Sequence, residues 1–488
     1  MGAPSITDIQ YDALDAGVAR GASLLISAPT STGKTLIGYW AAQQRLRADH
    51  GRVVYLVSLR ALAAQKFSEI VSIFSLAPFN IDKSEIVLAT GDGVRTADPD
   101  VGGTDPLSAT VLVATYEKYL GLLAGLGVTD LNGTLVICDE IQILGEVGRG
   151  RQIEILLTLL RRMKPTQIVG LSAVLEVDDA KALADWLGAQ LIKTSQREKH
   201  LSLECRASNQ KIIVETDRPE VPQIIDGGHQ LDVLAIVREL LREKANTPIV
   251  VFCMTRKRID DLVKIFANER GVDLNDGISL PLLLGLLDPT QAANYLTRLL
   301  AVKVAFHSAD LTEEEREVVE EKLLDNKIDV VFATTTLAAG VNFPFGAVVF
   351  DRWERWDGRV GRADPIAVAE FHNAAGRAGR MGFEENPEKA KVIWVSNKPD
   401  SITNAAKRYL EPDRLSPLPG RLEPASYDQL VLQLVSTGLC RTADEIRAFV
   451  ADTWSAARAH DRDRFALQLR GEAVGSAIEH LRQMGLLM

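Results

Sequence analysis

Residues 23–35 read SLLISAPTSTGKT: an apolar run (Ser23–Ser27), a loop of small residues, then the start of an amphipathic segment. A strand, a tight loop and a helix N-terminus in that order aim several backbone N–H groups at one point and cradle a phosphate. Lys34 has the reach for β- and γ-phosphates, and the Thr35 hydroxyl is placed to ligate Mg²⁺. Thr32 and Gly33 complete the cradle, although Ala28 stands where such loops usually begin with glycine.

Outward from this loop, short β-branched runs alternate with helical segments, the pattern of parallel sheets wrapped by helices. The first series comprises Ser23–Ser27, Val53–Val57, Val111–Thr115, Thr134–Cys138 and Gln167–Leu171. The second comprises Pro248–Cys253, Lys303–His307, Asp329–Ala333, Ala347–Phe350 and Lys391–Val395. Solid rather than alternating apolar runs belong to strands covered on both faces. The expected fold is α/β, with two tandem parallel-sheet lobes, Met1–Ser202 and Leu203–Glu411. A proline-rich stretch (Pro412, Pro417, Pro419, Pro424) then leads to a small helical module over Leu422–Met488, with helices at Tyr427–Thr437, Thr442–Ala459 and Gly471–Met484.

Thr134–Cys138 ends in Asp139-Glu140. In a parallel sheet ligands sit beyond the carboxyl ends of the strands, so this pair is expected to face the same crevice as Lys34. Asp139 would hold Mg²⁺, directly or through water, and Glu140 would orient and deprotonate an attacking water. In the second lobe, residues 370–382 read EFHNAAGRAGRMG. Arg377 and Arg380, three apart, would share one face of a helix, with Gly376 and Gly379 allowing close approach beside them. Two such guanidiniums suit neutralisation of charge on a γ-phosphate.

Composition narrows the class. The 488 residues carry 46% hydrophobic and 25% charged side chains, room for about three domains of ordinary globular make-up. Asp8, Asp12 and Asp15 interrupt any signal-peptide core, and the apolar run near Leu280–Leu287 is too short to span a bilayer. Four scattered cysteines without a CxxC pair argue against zinc, iron–sulfur and disulfide frameworks and for a reducing cytoplasm. The net charge of −10 argues against coating nucleic acid by bulk charge, while leaving a local basic channel open.

Taken together these motifs resemble the superfamily 2 DExH-box helicases, specifically the superkiller-like branch that includes the archaeal repair helicases. The resemblance covers nearly the whole chain. Tyr55–Leu62 (YLVSLRAL) is similar to that family's motif Ia, Val113–Lys118 (VATYEK) to motif Ib, and Ser172-Ala173-Val174 to motif III. Ala333–Pro344 (ATTTLAAGVNFP) is close to the branch's motif V. The resemblance implies two RecA-like lobes with ATP and Mg²⁺ bound between them, and adenine read by Gln10. It further implies a nucleic-acid track along Arg60, Thr115 and Thr335, with Gly340 and Asn342 linking track and nucleotide, and a phosphate grip near Arg256. Departures from the pattern are Ser58 for proline, Gln142 for the box histidine, Val174 for threonine and Asn373 for glutamine.

Residues 351–368 read DRWERWDGRVGRADPIAV, predicting a hairpin turning at Asp357-Gly358. Trp353, Trp356 and Arg359 there suit base stacking and phosphate contact, and the resemblance implies a strand-separating pin. The tail resembles the branch's winged helix and stops at Gly485–Met488, where the family begins a wing. The expected activity is ATP-dependent unwinding with 3′-to-5′ movement on a single strand or tailed duplex, DNA ahead of RNA, by a cytoplasmic monomer. Its alternatives are a translocase or remodeller that does not unwind, and a non-catalytic nucleic-acid-binding scaffold.

Overall fold

A computed structural model describes residues 6–487, apart from 31, 99, 101–104, 127–129, 197–199, 217–221, 244–245, 273–295, 309–310, 335–344, 358–360, 380–388, 397–401, 411–416 and 461–463. The chain forms two compact units. One combines Met1–Ala28, Gly33–Ser195 and Pro417–Met488; the other is Gln196–Ser416 with Pro29–Thr32.

The first unit is built on strands β1 (Leu24–Ser27), β2 (Arg52–Val57), β3 (Ile86–Thr90), β4 (Gly93–Thr96), β5 (Val111–Thr115), β6 (Thr134–Asp139), β7 (Gln167–Ser172) and β8 (Gln190–Lys193). They lie in the order β4-β3-β5-β2-β6-β7-β1-β8, and only the β3–β4 pairing is antiparallel. Every residue of β1, β3, β5 and β7 is buried, as solid apolar runs require when helices cover both faces. The two faces carry separate cores. One holds Ile37, Tyr55, Phe67 and Ile70; the other holds Leu56, Ile153, Leu157 and Leu183.

That second core continues into the C-terminal helices Tyr427–Ser436, Ala443–Ala451, Trp454–His460 and Arg464–Gln483, through Leu430, Phe449 and Trp454. Polar anchors reinforce the junction. Glu154, fully buried, accepts from the Ser455 amide (2.6 Å), the Ser455 hydroxyl (2.9 Å) and the Arg421 amide (2.7 Å). Asp179, also buried, pairs with Arg458 at 2.6 Å, and Trp186 Nε1 donates to the Asp452 carbonyl at 2.9 Å. A carboxylate is tolerated in a core only when its lone pairs are met in this way. The expected single helix Thr442–Ala459 is two helices. Thr453 interrupts it, its hydroxyl accepting from the Ala456 amide to cap the second.

The second unit carries β9 (His200–Arg206), β10 (Gln210–Glu215), β11 (Gln223–Asp226), β12 (Ile249–Cys253), β13 (Val304–His307), β14 (Val330–Thr334), β15 (Ala347–Phe350) and β18 (Lys389–Val395). Their order is β11-β10-β9-β18-β15-β12-β14-β13, parallel from β9 to β13, with β10 and β11 added antiparallel at the edge. Apart from it stands the hairpin β16 (Glu354–Asp357) and β17 (Arg362–Pro365). Asp357 pairs with Arg362, and the turn expected at Asp357-Gly358 runs into residues 358–360, which lie outside the described residues. Two sheets of this kind in tandem are RecA-like lobes. Among the described residues no helix is long and apolar enough to cross a membrane.

Candidate functional site

The loop after β1 is held by its neighbours. Gly33 sits at φ +80°, a left-handed conformation that side chains rarely adopt, and a Cβ there would run into Gln10 Nε2. Gln10 is buried, accepts from the Thr7 amide (3.0 Å) and donates Nε2–H to the Gly33 carbonyl (3.1 Å). It therefore braces the loop that helix Lys34–Leu46 continues. Lys34 Nζ donates to the Ala28 carbonyl at 2.7 Å, and the Thr32 hydroxyl to the Pro29 carbonyl at 2.9 Å.

The acidic pair lies at the carboxyl end of β6, which is separated from β1 by β7 alone. Tyr55 donates its hydroxyl to Asp139 Oδ2 (3.0 Å), and Tyr116 donates to the Asp139 carbonyl (2.9 Å). Burial pushes the Asp139 carboxyl above its ordinary value and the neighbouring Glu140 adds to this; Lys66, the Tyr55 bond and Lys34 pull the other way. Glu140 adopts φ +55°, an uncommon conformation for a residue with a side chain, of the sort that accumulates at functional sites.

Gln142, where the resemblance leads one to expect histidine, ties the acidic box to the Ser172-Ala173 motif. Its Nε2 donates to Glu140 Oε2, while its Oε1 accepts from the Ser172 hydroxyl (3.0 Å) and the Ala173 amide (3.2 Å). Ser27, ending β1, accepts from the Leu175 amide at 3.0 Å. The amide side chain thus does both the donating and the accepting that a box histidine offers. Val174 brings no hydroxyl to this network.

Lys66 was not apparent from sequence. On helix Arg60–Phe74 it is buried, with Nζ 2.7 Å from Glu69 Oε2 and 3.5 Å from Thr35 Oγ1, and the rings of Tyr39 and Tyr55 around it. A lysine inside an apolar helical stretch was its only signal.

Other expected residues are distributed as follows. Arg60 begins its helix, exposed and paired with Asp92. Thr115 ends β5 but is buried, so its side chain does not line an open surface. Arg256 is exposed in the first turn of helix Arg256–Glu269, whose cap Thr255 accepts from the Arg258 amide. Arg258 makes a bidentate pair with buried Asp351, just before the hairpin. Trp353 packs against the lobe core, edge-on to Tyr409 at 6.1 Å, whereas Trp356 is 65% exposed on β16. Arg377 is buried, but not on a helix as expected. Helix Val368–Ala375 ends at Gly376, and the Phe345 backbone bridges Ala378 while accepting from the Gly379 amide. Gly379, at φ +64° against Ala390, turns the chain there. Thr335, Gly340, Asn342, Arg359 and Arg380 lie outside the described residues.

A phosphate-loop lysine and an acidic pair at one end of a parallel sheet, followed by a second such sheet, define a P-loop nucleotide-binding protein with tandem RecA-like lobes. Residues 7–183 match the DEAD/DEAH box helicase family and residues 286–382 the helicase conserved C-terminal domain. Three archaeal proteins named ATP-dependent DNA helicase Hel308 are similar. That of Methanocella arvoryzae is 30% identical over 464 residues, 93% of this chain and 60% of the relative. Those of Aeropyrum pernix and Pyrococcus horikoshii are 32% and 31% identical, over 82% and 83% of this chain and 52% and 53% of the relatives. The chain thus carries the two domains of a superfamily 2 helicase and resembles the archaeal repair helicases. It spans about 52–60% of the length of these curated relatives.

Proposed function

We propose that this chain is the motor of an ATP-driven DNA helicase, hydrolysing ATP and moving 3′-to-5′ along a single strand. The carrying observation is the network at the carboxyl ends of β1, β6 and β7, in which Gln142 connects Glu140 to Ser172 and Ala173. The similar archaeal proteins, each named a DNA helicase, support DNA over RNA as the track. Direction rests on analogy with the branch.

In this reading Lys34 leaves the Ala28 carbonyl to meet the β- and γ-phosphates, and Thr32 and Gly33 close the cradle. Thr35 and Asp139 would hold Mg²⁺, being hard oxygen donors of the kind that ion favours. When bound, the ion neutralises charge developing between the phosphates. Glu140 orients and deprotonates the water, held in aim by Gln142. Arg377 and Arg380 of the second lobe supply positive charge to the γ-phosphate. Arg60, Arg256, Thr335, Arg359 and the exposed Trp356 lie along the strand's course. The domains follow as two motor lobes, Met1–Ser202 and Leu203–Glu411, with a partial winged helix over Leu422–Met488.

Steady-state hydrolysis with single-stranded DNA, single-stranded RNA or neither, for wild type and Lys34→Ala, tests the motor. DNA stimulation abolished by the substitution is expected; no hydrolysis with either polymer would remove it. Val174 favours one second reading, translocation without unwinding. Brisk hydrolysis without strand release from a 3′-tailed duplex would establish that reading instead.

A further inference from the structure

Among the described residues, Lys66 is a cation buried beside the nucleotide site that the proposed mechanism does not use. Its side chain is 9% exposed, and its ammonium meets Glu69 Oε2 at 2.7 Å and Thr35 Oγ1 at 3.5 Å. The ring centroids of Tyr39 and Tyr55 stand 5.8 and 6.0 Å away, and Tyr55 in turn holds Asp139 Oδ2 at 3.0 Å. One ammonium is thereby in contact with the hydroxyl proposed for the metal and one ring away from the carboxylate proposed for it. Burying an ammonium is costly unless neighbouring charge repays it. Packing alone would be served as well by methionine at this place, so the charge calls for an account. Six residues earlier on the same helix, about 9 Å along its axis, stands exposed Arg60, paired with Asp92 in the turn that joins β3 to β4.

We propose that Lys66 is a positioning residue that couples the nucleic-acid track to the ATP site, holding Thr35 and the Tyr55–Asp139 pair in register with helix Arg60–Phe74. Engagement of a phosphate by Arg60 loosens its tie to Asp92 and displaces the helix. Lys66, clamped to Glu69 on that helix, carries the displacement to the Thr35 hydroxyl and the Tyr55 ring. This inference rests on the motor reading above.

The test is ATP hydrolysis with and without single-stranded DNA, and binding of a fluorescent ADP analogue, for wild type, Lys34→Ala, Lys66→Met, Lys66→Arg and Glu69→Gln. The expectation for Lys66→Met is a DNA-stimulated kcat reduced by about tenfold or more, with the ATP KM and analogue Kd within about threefold of wild type. Lys66→Arg, keeping the charge, is expected to recover part of that loss. Wild-type stimulated turnover in Lys66→Met overturns the proposal. So does parallel loss of thermal stability, analogue binding and turnover that arginine does not rescue, since that marks a packing role. Should Lys66→Met not fold, Glu69→Gln decides: reduced stimulation supports the coupling and unchanged stimulation overturns it. A wild type that DNA does not stimulate overturns the motor reading itself, an outcome distinct from any difference among the Lys66 variants.

Discussion

Glu154 on helix Gly150–Met163 accepts both the backbone amide and the hydroxyl of Ser455, joining the first lobe to a helix 301 residues further along the chain. The Arg421 amide fills a third position on the same carboxylate. Two backbone N–H groups thus depend on one buried side chain. Glu154→Ala leaves both without an acceptor, and a loss of about 3–5 kcal/mol in unfolding free energy is expected. Urea denaturation of the intact chain measures it. A loss under about 1 kcal/mol would mean that the C-terminal helices are held by apolar contact alone.

Gly33→Ala sets a side chain in a left-handed position and against Gln10 Nε2. The conformational strain alone is about 1–2 kcal/mol, and the collision shifts the loop that carries Lys34. ATP hydrolysis is expected to fall by about 100-fold or more, with fluorescent nucleotide binding weakened in parallel. Thermal melting checks that the fold survives.

What was legible in the sequence divides along a physical line. Val111–Thr115 and Ala347–Phe350 are strands to the residue, because burial on both faces writes itself as an unbroken apolar run. His200–Arg206, Gln210–Glu215 and Gln223–Asp226 were not anticipated; they lie towards the sheet edge, where polar residues alternate with apolar ones and mask the run. The places of Lys34, Asp139 and Glu140 in the fold were legible since each depends on its own strand end. Lys66 was not, as its neighbours Thr35 and Tyr55 come from other elements. Arg377 was misplaced on a helix because the next residue, Ala378, is bridged by the Phe345 backbone from a distant segment of the chain. The division of the two tryptophans between core and solvent is likewise a property of the packed lobe.

Gln142→Ala removes the donor to Glu140 and the acceptor for Ser172 and Ala173 together. Glu140 and Ala173 stay partly exposed to water while Ser172 is fully buried, so the stability cost is expected at about 1–3 kcal/mol. The kcat for hydrolysis is expected to drop by about tenfold or more with ATP KM little changed, because the proposed general base loses its aim rather than the nucleotide its cradle. Equal wild-type and variant turnover would detach Glu140 from this network.

Asp139 gives a pH signature. Burial, then Glu140, raises its carboxyl pKa above the ordinary value, so the folded protein binds a proton that the unfolded chain releases. That contribution to stability is fully present below about pH 4 and is lost as pH rises through the folded value. Asp139→Asn escapes the loss. In the absence of nucleotide and metal it is expected to melt above wild type at neutral pH, with the difference closing on acidification, while hydrolysis falls by about 100-fold or more. A variant that melts below wild type at pH 7 would show that the carboxylate is stabilised where it sits.

The hairpin separates two roles that its sequence presents alike. Trp353 lies against Tyr409 and the core of the second lobe, and its carbonyl accepts from the Ile366 amide across the foot of the hairpin. Trp356, opposite Ala363, is mostly in solvent. Trp353→Ala is expected to cost about 3 kcal/mol by opening a cavity, and any loss of unwinding should follow that instability. Trp356→Ala is expected to change stability by less than about 0.5 kcal/mol, leave DNA-stimulated hydrolysis intact, and slow strand separation on a 3′-tailed duplex by several-fold. Measuring hydrolysis and strand release on the same preparation distinguishes a pin from a solvated hairpin. A Trp356→Ala protein that unwinds at the wild-type rate per ATP consumed would assign strand separation to another element and leave β16–β17 a feature of the fold alone.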